Sequence, residues 1–451
     1  MSPTYLYITP FFPSPDDWRG AYCLDFVKAL QKAKPGMRVE VFVAGNGGDY
    51  EIDGIKVWRF KEKILKGFVL PFLFRRRNEQ SFLAAVKRAG VKIDDVAVCH
   101  GNTARFAIYP LAVKKLNPNC KTLLHHHDLA SFGLNLGVLH RCGVYNAWLF
   151  RRLRALHEQI DCHVFISEAS RRSFLAAPDA GWTVYEDYKA QMRGPRMFGC
   201  RPARIRESAI LHNGVDVGLF GRVERVETCR GSGGEGVGRV KACREFVIGC
   251  VGNFEKLKDQ MTLLMAVEIL NRVKRVETCG SEGMNFNRVE RVETCRGCGG
   301  EEVNRAERVE TCRAGGVKIV FVGSGPERAK CEEYAREKGL NVEFRDEVRH
   351  EDLPRFYHEL DLFVLPSYFE GFGCVYAEAW ACGVPFIACE GQGVEDLIAE
   401  EDRAKWLCKP RDARDLANKI GAYVENRWVQ KLTGPVDVDA LVAKFCESVA
   451  V

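Results

Sequence analysis

The chain has 451 residues, of which 46% are hydrophobic and 28% charged. That mix is globular and excludes wholesale disorder and collagen-like architecture. At about 100–200 residues per domain it corresponds to two to four domains. The net charge of +6 is unevenly spread: residues 1–206 carry 32 Lys+Arg against 18 Asp+Glu, and the remainder carries 34 against 42. A basic front and an acidic back point to two domains with different partners. No apolar run reaches the ~18 residues that span a bilayer. The first residues lack the basic segment and small-residue cleavage site of a secretory signal. Nineteen cysteines, an odd number without such a signal, are expected to be reduced thiols in a cytoplasmic protein.

In chain order, Tyr5–Thr9 is expected to be a buried strand that ends in a Pro-punctuated loop. Tyr22–Lys32 follows as a helix with Leu24, Val27, Ala29 and Leu30 inward. Strands are expected at Val39–Ala44, Val96–His100, Thr122–His126 and Cys162–Ser167, the last leading into a helix. After Asn213 the pattern restarts, with strands at Phe246–Val251, Val317–Val322, Val342–Phe344, Leu362–Leu365 and Pro385–Cys389. Helices at Met261–Leu270, Glu327–Lys338, Leu353–Glu359 and Val375–Ala381 alternate with them. Short apolar runs between amphipathic helices imply parallel sheets covered on both faces. The expected fold is therefore α/β, with two facing Rossmann-like domains and a deep cleft between them. Residues 1–210 form the first domain and 211–430 the second, and a helix within 431–451 packs back toward the first.

Two stretches mix bases with aromatics: Val57 to Arg77, and Trp148 to Arg154. At helical spacing such a stretch either lies on an anionic membrane surface or packs on its own sheet with a solvated basic face. No nucleic-acid module is visible, and no nucleic-acid partner is expected. A nine-residue unit of the type RVERVETCR occurs at 222–230, 272–280, 288–296 and 305–313. Its irregular spacing excludes a solenoid. The copies define two insertions, about 222–242 and 273–315, which fall between predicted elements, where added length costs little. Cys295-x-x-Cys298 within the second has metal-pair or redox spacing, but a lone CxxC in a Gly-rich insert is weak and reads first as free thiols.

The segment Leu365–Pro385 carries the chemistry. A strand ends at Leu365, a loop holds Glu370, Gly371 and Gly373, and a helix starting near Gly373 carries Glu378. Glycines let backbone N–H groups approach a ligand, and a helix N-terminus favours a phosphate. A carboxylate on each side of that point can accept hydrogen bonds from sugar or ribose hydroxyls.

This segment resembles the E-x7-E signature of the family-4 retaining glycosyltransferases (glycosyl transferases group 1), which have the GT-B fold. Asn213-Gly-Val-Asp216 with Phe220 resembles the family's hinge segment. Val251-Gly-Asn253-Phe254 with Lys258-Asp-Gln260 resembles its donor loop, Val322-Gly-Ser-Gly-Pro326 its G-x-G-P loop, and Gly393-Val-Glu395 a segment before its last helices. The resemblance implies a retaining hexosyltransferase that moves a sugar from a UDP- or GDP-sugar to a glycan or lipid-linked acceptor in surface polysaccharide or lipopolysaccharide synthesis. Glu378 would bond the ribose. Glu370, with Gly371, Phe372 and Gly373, would hold the sugar. Lys258 would neutralise the diphosphate, with Asn253 standing where an Arg is usual and Lys256 or Arg349 as its substitute. His127, with Asp128, resembles the family's histidine near the reaction centre, and Gly20 its loop against the acceptor. The resemblance implies no metal and no cofactor. His125, His126 and His127 invite a zinc reading, but strand neighbours point to opposite faces. The implied setting is cytoplasmic, with peripheral contact to an anionic membrane. The alternatives are a GT-B nucleotide-sugar epimerase or an inactive sugar-nucleotide or membrane-binding relative.

Overall fold

The computed structural model describes residues 2–14, 20–64, 74–127, 151–175, 204–221, 245–279 and 316–450. The fourteen strands among the described residues form two sheets. The first has the order β3-β4-β2-β1-β5-β6-β7-β8 and the second β11-β10-β9-β12-β13-β14. In the first sheet β1 (Thr4–Thr9) lies between β2 (Arg38–Ala44) and β5 (Val96–Gly101), and β6 (Lys121–His126), β7 (Cys162–Phe165) and β8 (Glu207–Ile210) follow. All pairs there are parallel except the hairpin of β3 (Tyr50–Ile52) and β4 (Ile55–Phe60). The second sheet is parallel throughout, with β9 (Phe246–Val251) between β10 (Val317–Val322) and β12 (Leu362–Val364). β11 (Val342–Arg345) forms one edge, and β13 (Phe386–Cys389) and β14 (Leu407–Cys408) the other.

Parallel strands need crossover helices on both faces, so they bury every residue. β1 shows this: Tyr5, Leu6 and Ile8 have no exposed surface. Each sheet has its own apolar core, one built on Ile248, Ile319 and Phe363, the other on Tyr5, Val27 and Val41. The fold is thus the expected pair of parallel α/β domains.

The chain passes between the sheets twice, side by side. The Val215 amide donates to Val436 O at 2.8 Å, and the Val438 amide donates back to Val215 O at 3.0 Å. The final helix, Val438–Ser448, then lies on the first sheet's helix Ala21–Ala33. Phe26 and Phe445 pack at 6.5 Å between ring centroids, and Lys32 Nζ reaches Asp439 at 2.8 Å.

Two expectations need correction. The basic-aromatic stretch from Val57 is not one helix. Its first residues belong to β4, because the Asp53-Gly54 turn, with φ of 51° and 75°, folds Ile55–Phe60 back on Tyr50–Ile52. Residues 65–73 lie outside the described residues, and a separate helix begins at Arg75. Of the second stretch, 148–150 are not described and 151–157 are helical. Among the described residues no helix is long and apolar enough to cross a membrane. The second correction concerns the insertion near 273. The helix expected to stop at Leu270 runs from Gln260 to Cys279 and takes in most of the first repeat copy there. Arg, Lys, Val and Glu in that copy cost a helix little, so it simply continues. The rest of both insertions, with Cys295 and Cys298, lies outside the described residues. The cysteines whose side chains are described are all free thiols.

Replacing 223–242 and 281–314 with short Gly-Ser linkers is expected to leave a soluble protein with a Tm within about 4 °C of the parent, since ~1 kcal/mol moves a domain of this size by about 2–4 °C. Differential scanning fluorimetry checks this, and loss of the cooperative transition would contradict it.

Candidate functional site

In an open parallel sheet, a crevice forms where neighbouring strands send their connections to opposite faces, and ligands bind at the C-terminal edge there. In the second sheet that point lies between β9 and β12. The loop after β9 holds Lys258 and the loop after β12 holds Glu370. The Lys258 ammonium pairs with Glu370 Oε2, with side chains 28% and 15% exposed. Around them the backbone is fixed. Gln260 Nε2 donates to the Asn253 carbonyl at 3.0 Å, and the Tyr368 amide donates to Leu257 O at 3.0 Å. The Glu370 amide donates to Gln392 Oε1 at 2.8 Å.

Gly373 precedes the helix Cys374–Ala381 with φ 81°, and a Cβ there would sit 2.6 Å from the Tyr376 ring. Only glycine meets both conditions, so the loop can turn straight into the helix. Tyr376 is fully buried and donates from its hydroxyl to Leu365 O at 2.7 Å, which ties the helix to the end of β12. Glu378, 4% exposed, lies on this helix. Tyr357 donates to its Oε2 at 2.8 Å, and His350 Nε2 lies 3.5 Å from its Oε1.

The first domain meets this loop directly. A Cβ on Gly371 would lie 2.3 Å from the His127 carbonyl oxygen, so only a glycine loop comes this close. His127 follows β6, and its ring packs against Tyr22 (5.3 Å) and His125 (4.0 Å). Its Nε2 lies 2.7 Å from Asn102 Oδ1, an acceptor, so Nε2 carries the proton. Burial pushes its pKa down to about 3, so the ring is neutral. Gly20, also with positive φ, opens the helix Ala21–Ala33 beside Phe11. Asp128 lies outside the described residues. At the hinge, His212 stacks on Phe372 at 4.9 Å and 14°, and its Nε2 lies 3.2 Å from Asp396 Oδ2. The same Asp396 oxygen accepts from the Glu168 amide at 2.6 Å, at the start of a first-domain helix.

The structure thus unites Lys258, Glu370, Gly371, Phe372 and Gly373 with His127 across the cleft. Asn253 is exposed and is held through its backbone. Arg349, named as a substitute cation, pairs with Glu351 and is 62% exposed. Sequence reasoning missed His350, Tyr357, His212, Gln392 and Asp396. The only signals were an aromatic and a histidine preceding β12 and the polar flanks of two recognised segments.

A metal was weighed at His125–His127. The rings alternate: His125 and His127 share a face, while His126 turns to His157 and His163. His126, His157 and His163 each place one ring nitrogen within 4.8 Å of the others. His157 Nε2 donates to Ala104 O at 2.9 Å and His163 Nε2 to His157 O at 3.0 Å, which leaves His163 Nδ1 to accept from His126 Nε2 at 2.9 Å. The protons form a neutral chain, and among the described residues no carboxylate is part of the cluster.

The sequence profile of the family described as Glycosyl transferases group 1 matches residues 301–426. The sulfoquinovosyl transferase SQD2 of Arabidopsis thaliana is 29% identical over 119 residues, 26% of this chain and 23% of that protein. The putative teichuronic acid biosynthesis glycosyltransferase TuaC of Bacillus subtilis is 37% identical over 106 residues, 24% of this chain and 25% of that protein. The chain thus spans about a quarter of the length of these relatives. Over nearly the whole chain the fold matches Anabaena Alr3699/HepE in complex with UDP and glucose (TM-score 0.53, 16% identity, 98% of this chain and 94% of that one). It also matches a sucrose-phosphate synthase of Thermosynechococcus elongatus (TM-score 0.56, 16% identity, 99% and 94%). The fold is the GT-B fold.

The buried histidines make a pH prediction. Burial lowers His100, His127 and His157 to about 3 and His163 to about 4, against about 6.5 in the unfolded chain. Below pH 6.5 the unfolded state therefore binds more protons than the folded one. The stability these rings contribute is present above pH 6.5 and is lost as pH falls toward 4. Each ring steepens the loss by up to ~1.4 kcal/mol per pH unit. The Tm is expected to fall steeply between pH 6.5 and about 4.5. A flat profile over that range would contradict the neutral-cluster assignment.

Proposed function

We propose that this protein is a retaining glycosyltransferase that takes a nucleotide-sugar donor in the crevice at β9 and β12 and transfers the sugar to a glycan or lipid-linked acceptor held against the first domain. The observation that carries the reading is the meeting of Lys258 with Glu370 beside the Gly373-capped helix, in a GT-B fold. The matched family segment and the relatives, by name a sulfoquinovosyl transferase and a putative teichuronic acid biosynthesis glycosyltransferase, support it.

In this reading the Lys258–Glu370 pair ties the two loops together. When the donor enters, Lys258 turns to the diphosphate and Glu370 to the sugar hydroxyls. The exchange leaves neither charge unpaired, since the phosphates compensate the ammonium and the sugar hydroxyls bond the carboxylate. Lys258 and the amides of the Cys374–Ala381 helix then stabilise the charge that develops on the leaving nucleoside diphosphate. Glu378 accepts from the ribose. The acceptor hydroxyl attacks the anomeric carbon on the face the diphosphate leaves, through an oxocarbenium-like transition state, and its proton passes to a departing phosphate oxygen. This retains configuration and needs no carboxylate pair flanking the bond, unlike glycoside hydrolysis. His127, neutral and with its N–H tied to Asn102, offers no positive charge and closes the acceptor side of the cleft. The basic first domain suits an acceptor carrying phosphate or lying at an anionic membrane on the cytoplasmic side.

A thermal-shift panel of UDP-, GDP- and ADP-sugars tests this, wild type beside Glu378→Ala. One donor class is expected to stabilise the wild type by about 2.7 kcal/mol at 100-fold its Kd, with the shift lost in the variant. No shift with any donor, or an equal shift in both proteins, would contradict the site.

A further inference from the structure

Glu378 is a buried carboxylate whose two oxygens are engaged by two different donors. The Tyr357 hydroxyl fixes Oε2 at 2.8 Å, and His350 Nε2 faces Oε1 at 3.5 Å. Both rings are themselves held from the hinge: Phe220, fully buried, packs on His350 at 5.1 Å and on Tyr357 at 6.2 Å. Phe220 ends the short helix Val217–Phe220, which Asp216 caps by accepting from the Gly218 amide at 2.8 Å. Hinge, His350 and Glu378 therefore form one packed unit.

We infer that His350 is a positioning residue that supplies the counter-charge of Glu378 and sets how tightly this carboxylate holds the ribose hydroxyls of the donor. The inference rests on the donor-site reading above and deepens it.

The electrostatics agree with the geometry. Burial acts to lower the His350 pKa, but the Glu378 hydrogen bond and charge, with Asp25 and Asp216, outweigh it and raise the ring above its usual value. The groups that face His350 are Glu378 on its neighbouring helix, Asp216 at the hinge, and Asp25 on the first domain's helix Ala21–Ala33. Asp25 itself is pushed up to about 6, chiefly by burial and also by Asp216 and Glu378, while His350 and Lys28 act to lower it. Three acidic side chains thus surround one imidazole where the hinge and the two domains meet. With Tyr357 on Oε2 and His350 at Oε1, the remaining lone pairs of Glu378 are open to ribose hydroxyls. Without His350, a buried carboxylate is left with one neutral hydroxyl donor.

The test uses the 451-residue chain with UDP, GDP and ADP and the 2′-deoxy counterpart of whichever binds, by calorimetry. Wild type is expected to prefer the ribonucleotide by about tenfold, as the loss of one hydrogen bond to a charged group predicts. In His350→Ala the preference is expected to fall below about threefold with Tm unchanged. His350→Gln, which keeps size and polarity, guards against misfolding. The wild-type preference is also expected to weaken as pH rises through the raised pKa of the ring, and to be flat in His350→Gln. A His350→Ala or His350→Gln protein that keeps the full preference would overturn the inference while leaving the donor site standing. Failure of wild type to bind any nucleoside diphosphate would remove the donor reading and this inference with it.

Discussion

Lys258 and Glu370 lie 112 positions apart in the chain and meet because β9 and β12 are hydrogen-bonded neighbours. That adjacency is the constraint on which the rest of the site depends. β10 and β11 run out from β9 on one side, and β12, β13 and β14 on the other. The connections diverge there, and the gap between them is where the two loops can face one ligand. One loop carries a positive charge and the other a negative one, and the two charges pair across the gap. The same two charges are the ones a diphosphate and a sugar would need. Because the pair is mostly buried, opening it requires a ligand that offers each charge a new partner.

The second level of organisation is the contact between domains. It combines a close backbone approach with side-chain contacts. Gly371 abuts the His127 carbonyl, and Asp396 accepts from a first-domain helix while it also holds His212 at the hinge. His212 lies flat on Phe372 in the donor loop. Movement at the hinge is thus felt in the loop that carries Glu370. The return crossing at Val436–Val438 and the final helix on Ala21–Ala33 tie the chain's end to the first domain. This fixes the range over which the two sheets can turn.

Much of the fold was legible in the sequence because parallel strands are written as short, fully apolar runs. Phe246–Val251 and Val317–Val322 read with their true limits for that reason. Val57–Phe60 misled because Trp58 and the lysines around it also fit helical spacing. Only the Asp53-Gly54 turn distinguished a hairpin edge. The helix from Gln260 ran past its expected end because repeat residues with no core role still favour helix. Within the candidate site, Lys258, Glu370 and Gly373 on recognisable loops and Glu378 on the helix that follows were legible in the sequence. His350 and Tyr357 were not. Their partner Glu378 is 21 positions from Tyr357 and further still from His350, and no local pattern marks such a contact. His126, His157 and His163 show the same limit. Three scattered histidines become one neutral, buried chain only once β6 and β7 are placed side by side.

The most direct measurement is a crystal structure of the protein with the nucleotide-sugar, or its nucleoside diphosphate, bound. The account predicts that Lys258 leaves Glu370, with its Nζ within about 3 Å of a phosphate oxygen, and that the ribose lies on Glu378. A nucleotide bound elsewhere, with the Lys258–Glu370 pair intact, would contradict it.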